Sequence, residues 1–179
     1  MRRSLAVLVL LLPAGVALAQ SHQPYAGMEQ RPVKALSQQQ IADLRAGRGM
    51  GLALPAELNG YPGPMHVLEH ADALGLTPQQ QERTRALIDA MRAEAIPVGE
   101  RLIEQETRLD RLFANREITP ANLTAATADI GATQARLREA HLKYHLVMMD
   151  VLTPGQVAEY GRLRGYASPG PMQPHKQRH

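Results

Sequence analysis

The sequence predicts an all-α protein, a long kinked antiparallel helical hairpin with shorter flanking helices. Three observations carry that prediction. Apolar residues recur at alternating spacings of three and four along two long stretches, which is the period of a single helix face. Ser or Thr followed by Gln three residues on, the signature of a helix start, recurs ahead of helical stretches. No stretch reads as a strand.

Residues 1–19 read as a secretory leader outside the fold. Arg2 and Arg3 precede an apolar run from Leu5 to Leu12, and Ala17-Leu18-Ala19 supplies a small-x-small cleavage site before Gln20. That run is too short to cross a bilayer, and no later stretch nears the roughly 20 apolar residues a span needs. A soluble periplasmic protein without membrane insertion is therefore expected. There is no cysteine near the cut to accept a lipid.

Residues 20–64 read as an N-terminal arm with short helices. In the arm, Ser37 is the expected N-cap of a first helix, with Gln40 closing a capping box and Leu36 against Ile41 as its hydrophobic staple. Gly47-Arg48-Gly49 should stop that helix, Gly51 to Leu58 should form another short helical piece, and Asn59-Gly60-Tyr61-Pro62-Gly63-Pro64 reads as a turn.

A helical domain over 65–166 follows. A helix over 65–74 leads to Thr77-Pro78-Gln79-Gln80, which caps a helix of about 35 residues. Its seam runs Ile88, Met91, Ala95, Val98, Leu102, Leu109 and Leu112, with Gln105 interrupting and Pro97 expected to kink it. Thr119-Pro120-Ala121-Asn122 starts the return helix, with the seam Ile130, Gln134, Leu137, His141, Tyr144, Met148 and Val151. Thr153-Pro154-Gly155-Gln156 starts the last helix, and residues 167–179 read as a disordered tail.

Composition excludes several functions. Removing two arginines with the leader takes the 20 basic residues to 18, against 17 acidic ones, a balance near +1. With interspersed charges, one Phe and no Trp, the basic stripe and stacking platform of a nucleic-acid binder are missing. The absence of cysteine removes disulfides and thiolate metal sites, so a metal would have to be held by His, Met or carboxylate.

Helical spacing brings such ligands together. His66 with His70, His141 with His145, and His145 with Met149 are each four residues apart, so each pair shares a helix face. With the hairpin turn centred near residue 117, His145 falls opposite Asp89, and His141 opposite Arg92 to Glu94. Asp89 or Met91 is then near enough to join. Imidazole with thioether suits copper, and imidazole with carboxylate suits nickel, cobalt or zinc. His141, on the seam, reads equally as a packed core histidine, Met91 and Met148 read as core filler, and His175 and His179 sit in the tail without a helical partner.

His66-Val67-Leu68-Glu69-His70 also fits the H-x-x-E-H pattern of inverted zinc peptidases. The chain lacks the size and the strands such enzymes need, so no catalysis and no organic cofactor are expected.

Leu76-Thr77-Pro78-Gln79-Gln80 and Leu152-Thr153-Pro154-Gly155-Gln156 resemble the paired L-T-x-x-Q motifs of the Spy/CpxP superfamily, periplasmic helical proteins of envelope stress and metal resistance. The similarity covers residues 65–166. Within the superfamily the chain is most similar to heavy-metal sensors of the CnrX type, with H-x-x-x-H before the first cap and H-x-x-x-M before the second. His66 and His70 match the first pattern, and His145 and Met149 the second. The ligating Glu of that type falls on Ile88 here, with Asp89 beside it. The resemblance implies a homodimer and a metal-binding stress sensor or resistance protein read by a membrane-bound signalling partner. Its Spy-like branch implies instead an ATP-independent chaperone for unfolded client proteins, with no specific metal role.

Overall fold

A computed structural model describes residues 25–166, so the leader and the tail lie outside the described residues. After a 3-10 turn at Met28–Gln30 come α1 (Gln38–Arg45), α2 (Leu54–Glu57), α3 (Pro64–Glu69), α4 (Pro78–Ala114), α5 (Pro120–Val151) and α6 (Pro154–Leu163). The described residues contain no strand, and no helix among them is long and apolar enough to cross a membrane. The helical hairpin is α4 against α5, with α1 and α3 packed on α4.

Four of the helices start on complete capping boxes. Ser37, Thr77, Thr119 and Thr153 each accept from the backbone N–H three residues on, and Gln40, Gln80, Asn122 and Gln156 each accept from the cap's own N–H. The two long-range glutamines then do more than cap. Gln80 Nε2 donates to Gln156 Oε1 at 2.9 Å and to the Val151 carbonyl at 2.8 Å. Gln156 Nε2 donates to Gln80 Oε1 at 3.2 Å and to the Leu74 carbonyl at 3.2 Å. The two L-T-x-x-Q repeats thus clasp each other and satisfy carbonyls at the ends of the preceding segments.

The first helix stops as expected, with Gly47 at φ 64 and the Arg48 N–H bonded to the Asp43 carbonyl at 2.9 Å. α1 then crosses α4 at Gly99, where an added Cβ would lie 2.8 Å from the Leu44 carbonyl oxygen. Only glycine permits that approach. α4 runs unbroken through Pro97, whose missing N–H leaves the Ala93 carbonyl without its helical donor.

The helix expected over 65–74 is shorter than its pattern. α3 ends at Glu69, His70 is its C-cap, and the chain turns through to Gly75 at φ 58. This change of direction lets Val67, Leu74 and Leu76 enter one apolar cluster with Met148, Leu152 and Tyr160 at the open end of the hairpin. A second cluster fills the middle, where Val33, Leu36 and Leu44 of the arm meet Ala95, Leu102, Ile103, Ile130 and Leu137. On α5, Gln134 is exposed and Thr133 takes the seam position expected for it.

Candidate metal centre

Between the two apolar clusters α5 carries His141, Tyr144 and His145, all buried. Here α2, α3 and the loop before them close over the hairpin and leave a cavity of about 250 Å³. His66, His141 and His145 line it, together with Met50, Met65 and Met91.

Two of the three imidazoles are oriented through one ring nitrogen. His145 Nδ1 lies 2.8 Å from the Tyr61 carbonyl, an acceptor only, so Nδ1 carries the proton and Nε2 is the lone-pair nitrogen of the neutral ring. Gly63 fixes the ring further, because a Cβ there would fall 2.8 Å from His145 Cε1. His66 Nδ1 lies 2.8 Å from Glu69 Oε2 on the same helix. His141 differs: its Nε2 is buried with no hydrogen-bond partner. An orphaned buried polar atom costs about 1–3 kcal/mol. Burial, and then the neighbouring His145, hold the His141 imidazole below its ordinary pKa, which favours the neutral, metal-ligating form.

The wall behind His145 is a buried carboxyl group. Glu57, 6 % exposed, accepts at Oε1 from the Tyr160 hydroxyl, from Arg164 Nε at 3.3 Å and from the Tyr166 hydroxyl at 3.2 Å. Its Oε2 accepts from the Gly63 N–H at 3.2 Å and stands 3.8 Å from His145 Nδ1. Burial first, and then this hydrogen bond, push the Tyr160 phenol pKa well upward. Met50 sits at the rim with φ 45, a left-handed conformation that costs a side-chain-bearing residue about 1–2 kcal/mol.

A family model described as heavy-metal resistance matches residues 48–159, more than half of the chain. The chain belongs to the heavy-metal resistance family. Comparisons with curated proteins and with solved structures give no significant match. All six His and Met residues of the cavity fall within the heavy-metal resistance match.

The structure brings together some of the ligands that the sequence pairs and separates others. His66, His141 and His145 share the cavity. His70, displaced by the early end of α3, meets Tyr160 edge-on with ring centroids 6.5 Å apart. Met149 is 38 % exposed and does not line the cavity. Asp89 borders a separate groove with Met65, Leu68, Glu69, Arg85 and Arg92. The hairpin register accounts for part of this. Tyr144 meets Glu94 at 2.8 Å, which moves the residue opposite His145 about one helical turn away from Asp89.

Among the described residues no three His, Asp or Glu side chains group closely enough to hold one ion by themselves. Any ion in the cavity of this heavy-metal resistance protein must therefore draw on thioethers or solvent as well as imidazole. Glu57, Met50 and Met65 escaped the sequence reading. No local spacing marks Glu57, whose partners lie up to 109 residues away. Met50 had a signal in its glycine-flanked position, which allows a tight close-packed loop.

Proposed function

We propose that this protein binds a transition-metal ion in the cavity lined by His66, His141 and His145, through imidazole completed by thioether or solvent, and acts in heavy-metal sensing or resistance outside the cytoplasm. The observation that carries the reading is the cavity that His66, His141 and His145 line together, with His141 holding a buried ring nitrogen, Nε2, that has no hydrogen-bond partner. A bound ion would give that nitrogen a partner. The Tyr61 carbonyl and Glu69 supply the outer-shell acceptors that ligating histidines ordinarily use. The ion, when bound, supplies a charge that ties His66 on α3 to α5; the chain's own residues orient the imidazoles and exclude water. Holding α3 against the hairpin is the kind of two-state change that a membrane-bound partner of a CnrX-like sensor would read.

Calorimetric titration with copper(II), nickel, cobalt, zinc and silver(I) tests this. At least one ion should bind at a single saturable site, weakened at least about tenfold by His145→Ala and by His66→Ala. Binding by none of these ions, or unchanged binding in both variants, would overturn it. A chaperone without a metal role would protect unfolding clients equally well in chelator and in both variants.

A further inference from the structure

We infer that the cavity selects a soft monovalent ion, silver(I) or copper(I), held by the thioethers of Met50, Met65 and Met91 with the imidazole of His141. The inference rests on the metal-binding reading above and adds to it the class of ion and three donors.

Donor chemistry comes first. Thioether sulfur is soft and uncharged, and it favours copper(I)-like ions over nickel, cobalt or zinc. The three methionines come from three different segments: the loop before α2, α3 and α4. Met91 is buried at 6 % exposure, whereas Met50 is 42 % exposed, so thioethers stand both deep in the cavity and at its rim. The left-handed backbone at Met50, between two glycines, is an observed strain at the mouth of the cavity.

Charge gives an independent argument. A divalent ion in a partly buried site needs carboxylates to offset its desolvation, which grows as the square of the charge. Among the described residues the one carboxyl group that lines this cavity, Glu57, already accepts from Tyr160, Arg164, Tyr166 and Gly63. Arg164 brings a positive charge to the same wall. No uncommitted negative charge remains among the lining residues, which favours the lower charge.

The test uses the full chain with His175→Ala and His179→Ala, so that the terminal histidines do not compete. It is titrated with silver nitrate in chloride-free buffer, and in parallel with nickel, cobalt and zinc. One equivalent of silver should bind more tightly than any divalent ion. Met50→Leu and Met91→Leu, which conserve volume, should each weaken silver at least about tenfold, and by a larger factor than they weaken any divalent ion, with little change in metal-free Tm. Methyl-methionine NMR should show the Met50, Met65 and Met91 signals moving on silver addition. Silver binding no tighter than the divalent ions, or unaffected by both methionine variants, would overturn the inference. If a divalent ion still binds through His145 in that case, the histidine reading stands alone; if no ion binds, both fall. Met50 is exposed, so its substitution cannot act by unfolding the core.

Discussion

Tyr144 carries a phenol into the layer between the two apolar clusters and donates its proton to Glu94 at 2.8 Å. Burial, then this hydrogen bond, push the phenol pKa up to about 12 from its ordinary 10.0. The hydrogen bond from Lys143, then that from Tyr144, hold the Glu94 carboxyl below its ordinary 4.5. The two shifts bracket a pH window. Tyr144, raised in the fold, stabilises below its unfolded value of 10.0, and that stability is lost as the pH climbs toward 12. Glu94, depressed in the fold, stabilises above 4.5, and that stability is lost as the pH falls through its folded value. Tyr144→Phe should therefore lower stability by about 1 kcal/mol across the middle of that window, the low end for a charge-assisted bond because Glu94 is 44 % exposed. Denaturant titrations at stepped pH should find the gap narrowing at both extremes; a gap independent of pH would refute the assignment.

One helix face also explains which candidate ligands were legible. Residues four apart on an α-helix are displaced by about 40° around its axis. Along α5, His141 is 3 % exposed, His145 8 % and Met149 38 %, a steady rotation from core to solvent. The i, i+4 rule put the two histidines on one face, and both line the cavity. It could not show that His145 already stands at the edge of the seam, so that the next step carries Met149 outside.

At the scale of elements the caps matter most. A capping box is written within four residues, so Ser37 with Gln40, Thr77 with Gln80 and Thr153 with Gln156 could be read directly from the chain. That Gln80 and Gln156 also bond each other could not, since 76 residues separate them. Gln80→Glu separates the two roles. A carboxylate still accepts the Thr77 N–H, but it cannot donate to the Val151 carbonyl or to Gln156 Oε1, and it faces both as a like-polarity oxygen. The expected loss is about 2 kcal/mol, against less than about 0.5 kcal/mol for Gln79→Glu on the exposed first turn. Equal effects of the two substitutions on Tm would mean that the clasp contributes nothing beyond the cap. α3 illustrates the opposite case, a helical pattern cut short because Leu74 and Leu76 are drawn into the apolar cluster at the hairpin's open end.

For the whole molecule, the question is what joins the arm to the rest. The periodic seams made the α4–α5 hairpin legible, but the arm's second attachment is polar. Glu57, on a four-residue helix with no usable period, reads by any local rule as surface. In the fold it gathers Tyr160, Arg164 and Tyr166 from the chain's C-terminal part and Gly63 from the turn before α3, and it backs His145. The arm, the histidine-lined cavity and α6 therefore share one buried group, while the mid-hairpin cluster around Leu44 and Leu102 stands apart from it. Glu57→Ala leaves the Tyr160 hydroxyl and the Arg164 guanidinium without their acceptor, a loss of about 3–5 kcal/mol for one half of a buried pair. That loss should be local. Hydrogen exchange in Glu57→Ala should speed up together across 50–63 and α6, while amides of α4 and α5 beside Leu102 and Ile130 keep their protection. Uniform acceleration along the hairpin would mean that the two clusters unfold as one unit. Acceleration in 50–63 without α6 would mean that Glu57 holds only its own loop, and the cavity would then have no structural link to the C-terminal helix.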